Sequence, residues 1–246
     1  MTALVLLPGL DGTGDLFSPL LEALRDTVDT RLIRYPTHGP MDYAGHLAFA
    51  RARLPTDEPF VLLGESFAGP VALTLAAEAP EGLRGLALCC TFARNPRPWL
   101  AGLRAFTRIA PVHHLPASLR DAMLLGRFGT PGLSRAMTAA LNRVDANVLQ
   151  SRLRAVTQVD VTVALSRISV PTLDLRATED RLVPSSAAHL IRRALPSAIH
   201  ADIEGPHALL QACPDGAATL LLSFLQRMAS PILTPRLPDP ADASPT

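Results

Sequence analysis

The sequence contains no lysine, so all 23 of its basic residues are arginine. That excludes a phosphate-binding P-loop, whose lysine must reach the nucleotide phosphates. Cysteine is almost as scarce. Cys89, Cys90 and Cys213 are too few and too odd in number for a disulfide framework, and they point to a reducing compartment. Cys89 and Cys90 fall on an expected strand, where neighbouring side chains leave opposite faces and do not readily bridge. Long apolar runs are missing too. The opening "MTALVLLPG" has neither the length of a membrane span nor the basic start of a secretion signal, so the expectation is a cytoplasmic protein with no membrane partner. Neither sign of charge dominates: the net charge is +1, which leaves no general attraction for nucleic acid. No cysteine–histidine cluster has metal-ligand spacing, so no metal and no cofactor are expected.

What remains is a globular composition, 48% apolar and 18% charged, in a 246-residue chain long enough for one sizeable core. Short apolar runs alternate with helical patterns through the first 93 residues. Strands are expected at 3–9, 30–36, 60–66 and 83–91, and helices at 16–24, 43–54 and 68–80, with Asp15 a candidate N-cap for the first helix. Continuous apolar strands alternating with helices predict a parallel sheet covered on both faces. Residues 94–160 break that rhythm with proline-punctuated helical patches. Strands return at 170–178 and 198–205, around a helix near 185–195, and a last helix is interrupted near Pro214. The proline-rich stretch 230–246 has no core-forming pattern and reads as disordered. There are no internal repeats.

The chemistry is concentrated in "VLLGESFAGPVAL", residues 61–73. Gly64-Glu65-Ser66-Phe67-Ala68-Gly69 is close to G-x-S-x-G, with Ala68 where the second glycine stands and Gly69 one position further, and it falls between an expected strand and an expected helix, the context that gives the motif meaning. A sharp strand-to-helix elbow leaves no room for side chains at the flanking glycines and sets the serine oxygen near a helix N-terminus. A serine hydroxyl is a poor nucleophile alone, so a histidine base and an orienting acid are expected after later strands. Asp180, in "ATEDRLVP", follows the strand at 170–178. His207, in "EGPHALL", follows the strand at 198–205. Of the seven histidines, His207 is the one expected in a loop at a strand's C-terminal end, where open α/β sheets build their sites. Glu179 is a second, weaker candidate acid, and the role of Glu65 is open.

Over about residues 3–228 these motifs, in the order Ser66, Asp180, His207, resemble the α/β-hydrolase family. The resemblance implies a mostly parallel sheet flanked by helices, lacking the usual first hairpin and carrying an inserted helical cap. On that reading residues 1–93 and 161–229 form the hydrolase core, 94–160 the cap and 230–246 the tail. "LLPGLDGTGDLF" is similar to the family's loop that helps form the oxyanion hole, which would then use the backbone N–H groups of Leu10 and Phe67. Pro8-Gly9 stands where the family often has His-Gly. The implied activity is a serine esterase working on a carboxylic ester or thioester through an acyl-enzyme. Carbon–carbon bond hydrolysis or perhydrolysis on the same triad, and a non-catalytic ligand-binding receptor of the same fold, are the alternatives.

Residues 91–170 hold eleven arginines and three acids, a local balance of 11 − 3 = +8 in a chain whose total is +1. A basic cap could steer an anionic substrate or an acidic carrier protein, with Arg135, Arg143 and Arg152 as candidate contacts. The arrangement is similar to the small capped esterases that cleave a pimeloyl-carrier-protein methyl ester. Trp99, Phe106, Met123, Leu124 and Met137 are candidates for an apolar acyl pocket.

Overall fold

Five apolar runs and one short edge strand build the sheet. In the structure, a computed structural model that describes residues 2–25, 27–98 and 116–229, the strands are β1 (Ala3–Leu7), β2 (Thr30–Leu32), β3 (Phe60–Glu65), β4 (Leu83–Cys89), β5 (Thr172–Glu179) and β6 (Ile199–Pro206). Their spatial order is β2-β1-β3-β4-β5-β6, and every neighbouring pair runs parallel. All residues of β1 and β3 are buried, as expected for strands covered on both faces. Strand β2, expected over seven residues, ladders over three, because it lies at the edge and pairs only with β1.

Helices cover both faces. Helices α1 (Ser18–Leu24), α9 (Leu209–Ala212) and α10 (Pro214–Ala229) pack on one side, where Leu20, Leu221 and Phe224 meet Leu4, Leu6, Val61 and Leu63. Helices α2 (Tyr43–Arg51), α3 (Gly69–Glu78) and α8 (Ser185–Ala194) cover the other, where Ala50, Val71, Leu75 and Ile191 meet Val5, Leu62 and Leu86. Between β4 and β5 the described residues form α4 (Ala117–Leu124), α5 (Pro131–Asn142), α6 (Ala146–Gln158) and α7 (Thr162–Leu165). The two ends of this segment meet: Arg94 and Asp160 form an isolated antiparallel bridge, and the Val161 amide donates to the Ala93 carbonyl at 2.8 Å. Trp99, Phe106 and the stretch 230–246 lie outside the described residues.

Two local expectations are corrected. Asp15 does not cap α1. It opens a 3-10 turn over Asp15–Phe17 that runs into α1, and its carboxylate pairs with Arg143. Cys89 and Cys90 do not point to opposite faces. The ladder ends at Cys89, Cys90 turns left-handed at φ 47°, and both side chains join one apolar cluster as free thiols.

The strand order positions the site. The chain steps from β1 to β2 on one side and to β3 on the other, so the connections diverge between β1 and β3. Open α/β sheets form their crevice at such a switch point, outside the C-terminal strand ends. The loop after β1 and the serine after β3 both emerge there.

Candidate active site

Ser66 occupies the turn between β3 and α3 with φ 47°, a left-handed conformation that a non-glycine residue adopts only under local constraint. The constraint is visible in the packing. A Cβ on Gly64 would stand 2.5 Å from Ala72 Cβ and 3.1 Å from the Ala68 carbonyl oxygen. A Cβ on Gly69 would stand 2.6 Å from Thr91 Cβ and would overlap its hydroxyl. The elbow thus needs both glycines, the second because a side chain rather than backbone fills the space. Thr91 secures the turn by donating its hydroxyl to the Ser66 carbonyl at 2.6 Å.

The expected partners converge on this serine. Ser66 Oγ lies 2.9 Å from His207 Nε2, across 141 positions of sequence. His207 Nδ1 lies 2.8 Å from Asp180 Oδ2. A carboxylate only accepts, so Nδ1 carries the proton and Nε2 presents a lone pair to the serine hydroxyl. The other carboxylate oxygen, Asp180 Oδ1, accepts from the Leu182 and Val183 amides, each at 2.8 Å. Both His207 and the Asp180 side chain are buried. Glu179, the weaker candidate acid, turns away to pair with Arg127.

The loop after β1 closes over the same point. The Gly12 amide donates to the Gly9 carbonyl at 3.0 Å, which leaves the Leu10 amide, inside that turn, outside the turn's own bond. A Cβ on Gly9 would lie 4.0 Å from Ser66 Cβ, so this backbone runs against the elbow. Phe67 follows the serine in the 3-10 turn Ser66–Ala68, where the first amides of a helical turn have no partner within it. Its carbonyl accepts from the Tyr43 hydroxyl at 2.9 Å and its ring stacks on Tyr43.

Glu65 points beneath this loop. Gln211 Nε2 donates to its Oε1 at 2.9 Å, the Gly9 amide also donates to it, and Asp11 and His207 are its charged neighbours. Burial raises its carboxyl to about pKa 7. The sequence showed an acid beside the serine but gave no sign of Gln211, which lies on α9.

A profile of the "Alpha/beta hydrolase family" matches residues 4–220. The chain belongs to the α/β-hydrolase family. It is 30% identical over 240 residues to a pimeloyl-[acyl-carrier protein] methyl ester esterase of Aromatoleum aromaticum, covering 89% of this chain and 96% of that one. It is 26% identical over 250 residues to a putative carbamate hydrolase RutD of Klebsiella pneumoniae, covering 91% of each chain. In fold it is similar to the enol-lactonase of Burkholderia xenovorans, with a TM-score of 0.79 at 20% identity, over 92% of this chain and 91% of that one.

The three candidate arginines of this chain have different fates. Arg135 is exposed on α5. Arg143, just past that helix, is exposed but paired with Asp15. Arg152, on α6, cannot meet a carrier protein: it is fully buried, and its guanidinium bonds to backbone carbonyls of the core. Other arginines of the segment are also engaged internally, Arg120 with Asp121 and Arg127 with Glu179 and Glu204, so the local excess of +8 overstates the charge free to attract a partner. Leu124 and Met137 pack against Ala208, next to His207, while Met123 is half-buried on α4. Among the described residues no cluster of acids, histidines and cysteines could hold a metal, and no helix is long and apolar enough to cross a membrane.

Proposed function

We propose that this hydrolase cleaves a carboxylic ester through a Ser66 acyl-enzyme, with His207 as base and Asp180 as its orienting acid. The observation that carries the reading is the unbroken proton path, 2.9 Å from Ser66 Oγ to His207 Nε2 and 2.8 Å from His207 Nδ1 to Asp180. Ser66 Oγ attacks the acyl carbon as its proton passes to His207 Nε2. Charge gathers on the acyl oxygen, which the Leu10 and Phe67 amides receive without having to reorganise. When the tetrahedral adduct collapses, the ester bond breaks and the His207 proton leaves with the alcohol. Water then attacks the acyl-Ser66 ester, giving a proton to His207. Collapse releases the acid and returns the proton to Ser66 Oγ. Asp180 keeps the imidazole in the required tautomer and stabilises its cation.

The segment 94–160, pinned at its neck by Arg94 and Asp160, is on this reading a cap over the mouth. Leu124 and Met137, beside Ala208, supply an apolar wall for the acyl chain. A fluorophosphonate probe tests the nucleophile, since it should label wild type and not Ser66→Ala. A panel of p-nitrophenyl esters of increasing length, with one carbamate, then reports acyl depth and leaving-group class. An absence of labelling and of turnover on every member would leave the ligand-binding receptor as the better account.

A carrier-linked acyl ester is a second reading of the substrate. Its support is the relative named as a pimeloyl-[acyl-carrier protein] methyl ester esterase, together with exposed Arg135 and Arg143. Arg135→Glu is then expected to raise KM for a carrier-linked ester several-fold more than for the free ester. Equal changes on both would remove the carrier.

A further inference from the structure

Arg152 is the most unusual side chain outside the proposed triad. It comes from α6, in the segment between β4 and β5, yet its guanidinium is fully buried. Among the described residues it forms no ion pair. Its nearest acid, Asp11, spends Oδ2 on the Thr13 amide and hydroxyl instead. A buried guanidinium without a bound carboxylate is costly unless its donors are all met. Here backbone carbonyls meet three of its five N–H donors. Nη1 donates to the Leu10 carbonyl at 2.9 Å and to the Asp11 carbonyl at 2.6 Å, and Nη2 donates to the Pro36 carbonyl at 2.9 Å.

The fourth contact extends the brace. Arg152 Nε lies 3.3 Å from His46 Nε2, and His46 Nδ1 lies 2.7 Å from the Asp42 carbonyl oxygen. That carbonyl only accepts, so Nδ1 carries the ring proton and Nε2 is free to accept from the arginine. Burial and the arginine's own charge together hold His46 neutral, its pKa lowered to about 4. The His46 ring packs edge-on against Phe67, with centroids 5.0 Å apart. One guanidinium therefore touches the Leu10 loop directly and the Phe67 turn through one intervening ring. Those are the two segments whose amides are assigned to the oxyanion.

We propose that Arg152 is a positioning residue for the oxyanion hole: by drawing the Leu10 and Asp11 carbonyls onto one donor it orients the loop whose Leu10 amide meets the substrate, and so ties helix α6 to catalysis. A residue kept only to fill core would not need two consecutive carbonyls turned onto one nitrogen. It follows that α6 is a fixed part of the site, and any opening of the mouth has to spare it. The inference rests on the serine-hydrolase reading, and the test separates the two.

The measurement is kcat and KM on a p-nitrophenyl ester that wild type turns over, with the fluorophosphonate labelling rate taken in parallel. Arg152→Met keeps the apolar bulk and removes the donors. The expected result is a fall in kcat of about 100-fold, the scale of losing an oxyanion donor, with KM within about threefold and labelling slowed to match. Arg152→Lys, which restores a cation and its donors, should recover part of the loss. Gly12→Ala attacks the same contact from the other side, because a Cβ there would sit 2.5 Å from Arg152 Nη1. Because Gly12 is left-handed at φ 70°, a fall in kcat there also reports backbone strain, so only its unchanged kcat is read, and Arg152→Lys decides the matter if Arg152→Met does not fold. Unchanged kcat in a folded Arg152→Met or Gly12→Ala protein, or a rise in KM alone, overturns the positioning role. Wild type that neither labels nor hydrolyses any ester of the panel overturns the hydrolase reading, and this inference with it.

Discussion

Two loops reach the mouth of this site, and they are held in opposite ways. The loop after β5 is largely self-supporting. Asp180 folds it by accepting from the Leu182 and Val183 amides while its second oxygen faces His207. The loop after β1 depends on partners far along the chain. Glu65 accepts from its Gly9 amide, and Arg152, 142 positions from Leu10, donates to its carbonyls. A local loop can be altered by its own residues. A borrowed loop fails when a distant helix or the strand beneath it changes. On the proposed reading, the difference teaches that the side orienting the base and the side meant for the oxyanion have separate weak points.

The largest expected effect lies on the self-supporting side. Asp180→Asn keeps an oxygen for the Leu182 and Val183 amides but turns an NH2 group towards His207 Nδ1. The imidazole then adopts the wrong tautomer, and kcat is expected to fall by on the order of 10⁴-fold with the melting temperature nearly unchanged. A loss below tenfold would mean that Asp180 does not orient the base. The smaller fall, about 100-fold, expected for Arg152→Met measures the borrowed loop. Parity of the two would erase the distinction.

Stability separates the loops by pH. Glu65, buried under the borrowed loop, is raised from 4.5 to about 7. The native state therefore holds its proton more tightly than the unfolded chain. The resulting stabilisation is complete below about pH 4.5 and is lost as pH rises to about 7. Glu65→Gln removes this dependence while keeping an oxygen for the Gly9 amide. Relative to wild type it should gain stability between pH 5 and 8, by up to about 3 kcal/mol, read from urea midpoints at the two pH values. Parallel curves for both proteins would show that Glu65 is not held neutral by burial.

The smallest effect is expected from Arg97→Met. Arg97 donates to the Leu182 carbonyl at 3.0 Å and to the Arg181 carbonyl at 2.5 Å, bracing the acid loop from outside. Because Asp180 already organises that loop, kcat should fall less than about fivefold, against about 100-fold for Arg152→Met. A loss as large as that of Arg152→Met would show that this loop too is borrowed.

The same contrast explains what could be read from sequence. Ser66, Asp180 and His207 each follow their own strand and sit in short motifs with local causes, so their meeting point was legible. So was the parallel sheet, because buried parallel strands are continuous apolar runs. The brace was not. Counting charge treats every arginine of residues 91–170 as surface, and nothing near Arg152 in sequence reveals that two carbonyls of the β1 loop await it. Asp15 misled for a related reason: its position suits a cap, but Arg143, 128 residues away, takes its carboxylate. Cys90 departed from strand alternation because the ladder stops one residue earlier than its apolar pattern suggests.

The account stands on Ser66 being a nucleophile activated by His207. The direct measurement is intact-protein mass after exposure to a fluorophosphonate, for wild type, Ser66→Ala and His207→Ala. One adduct on wild type, mapped to Ser66, none on Ser66→Ala and at least about 1,000-fold slower labelling of His207→Ala are predicted. Wild type left unlabelled, or Ser66→Ala labelled as fast as wild type, would contradict it.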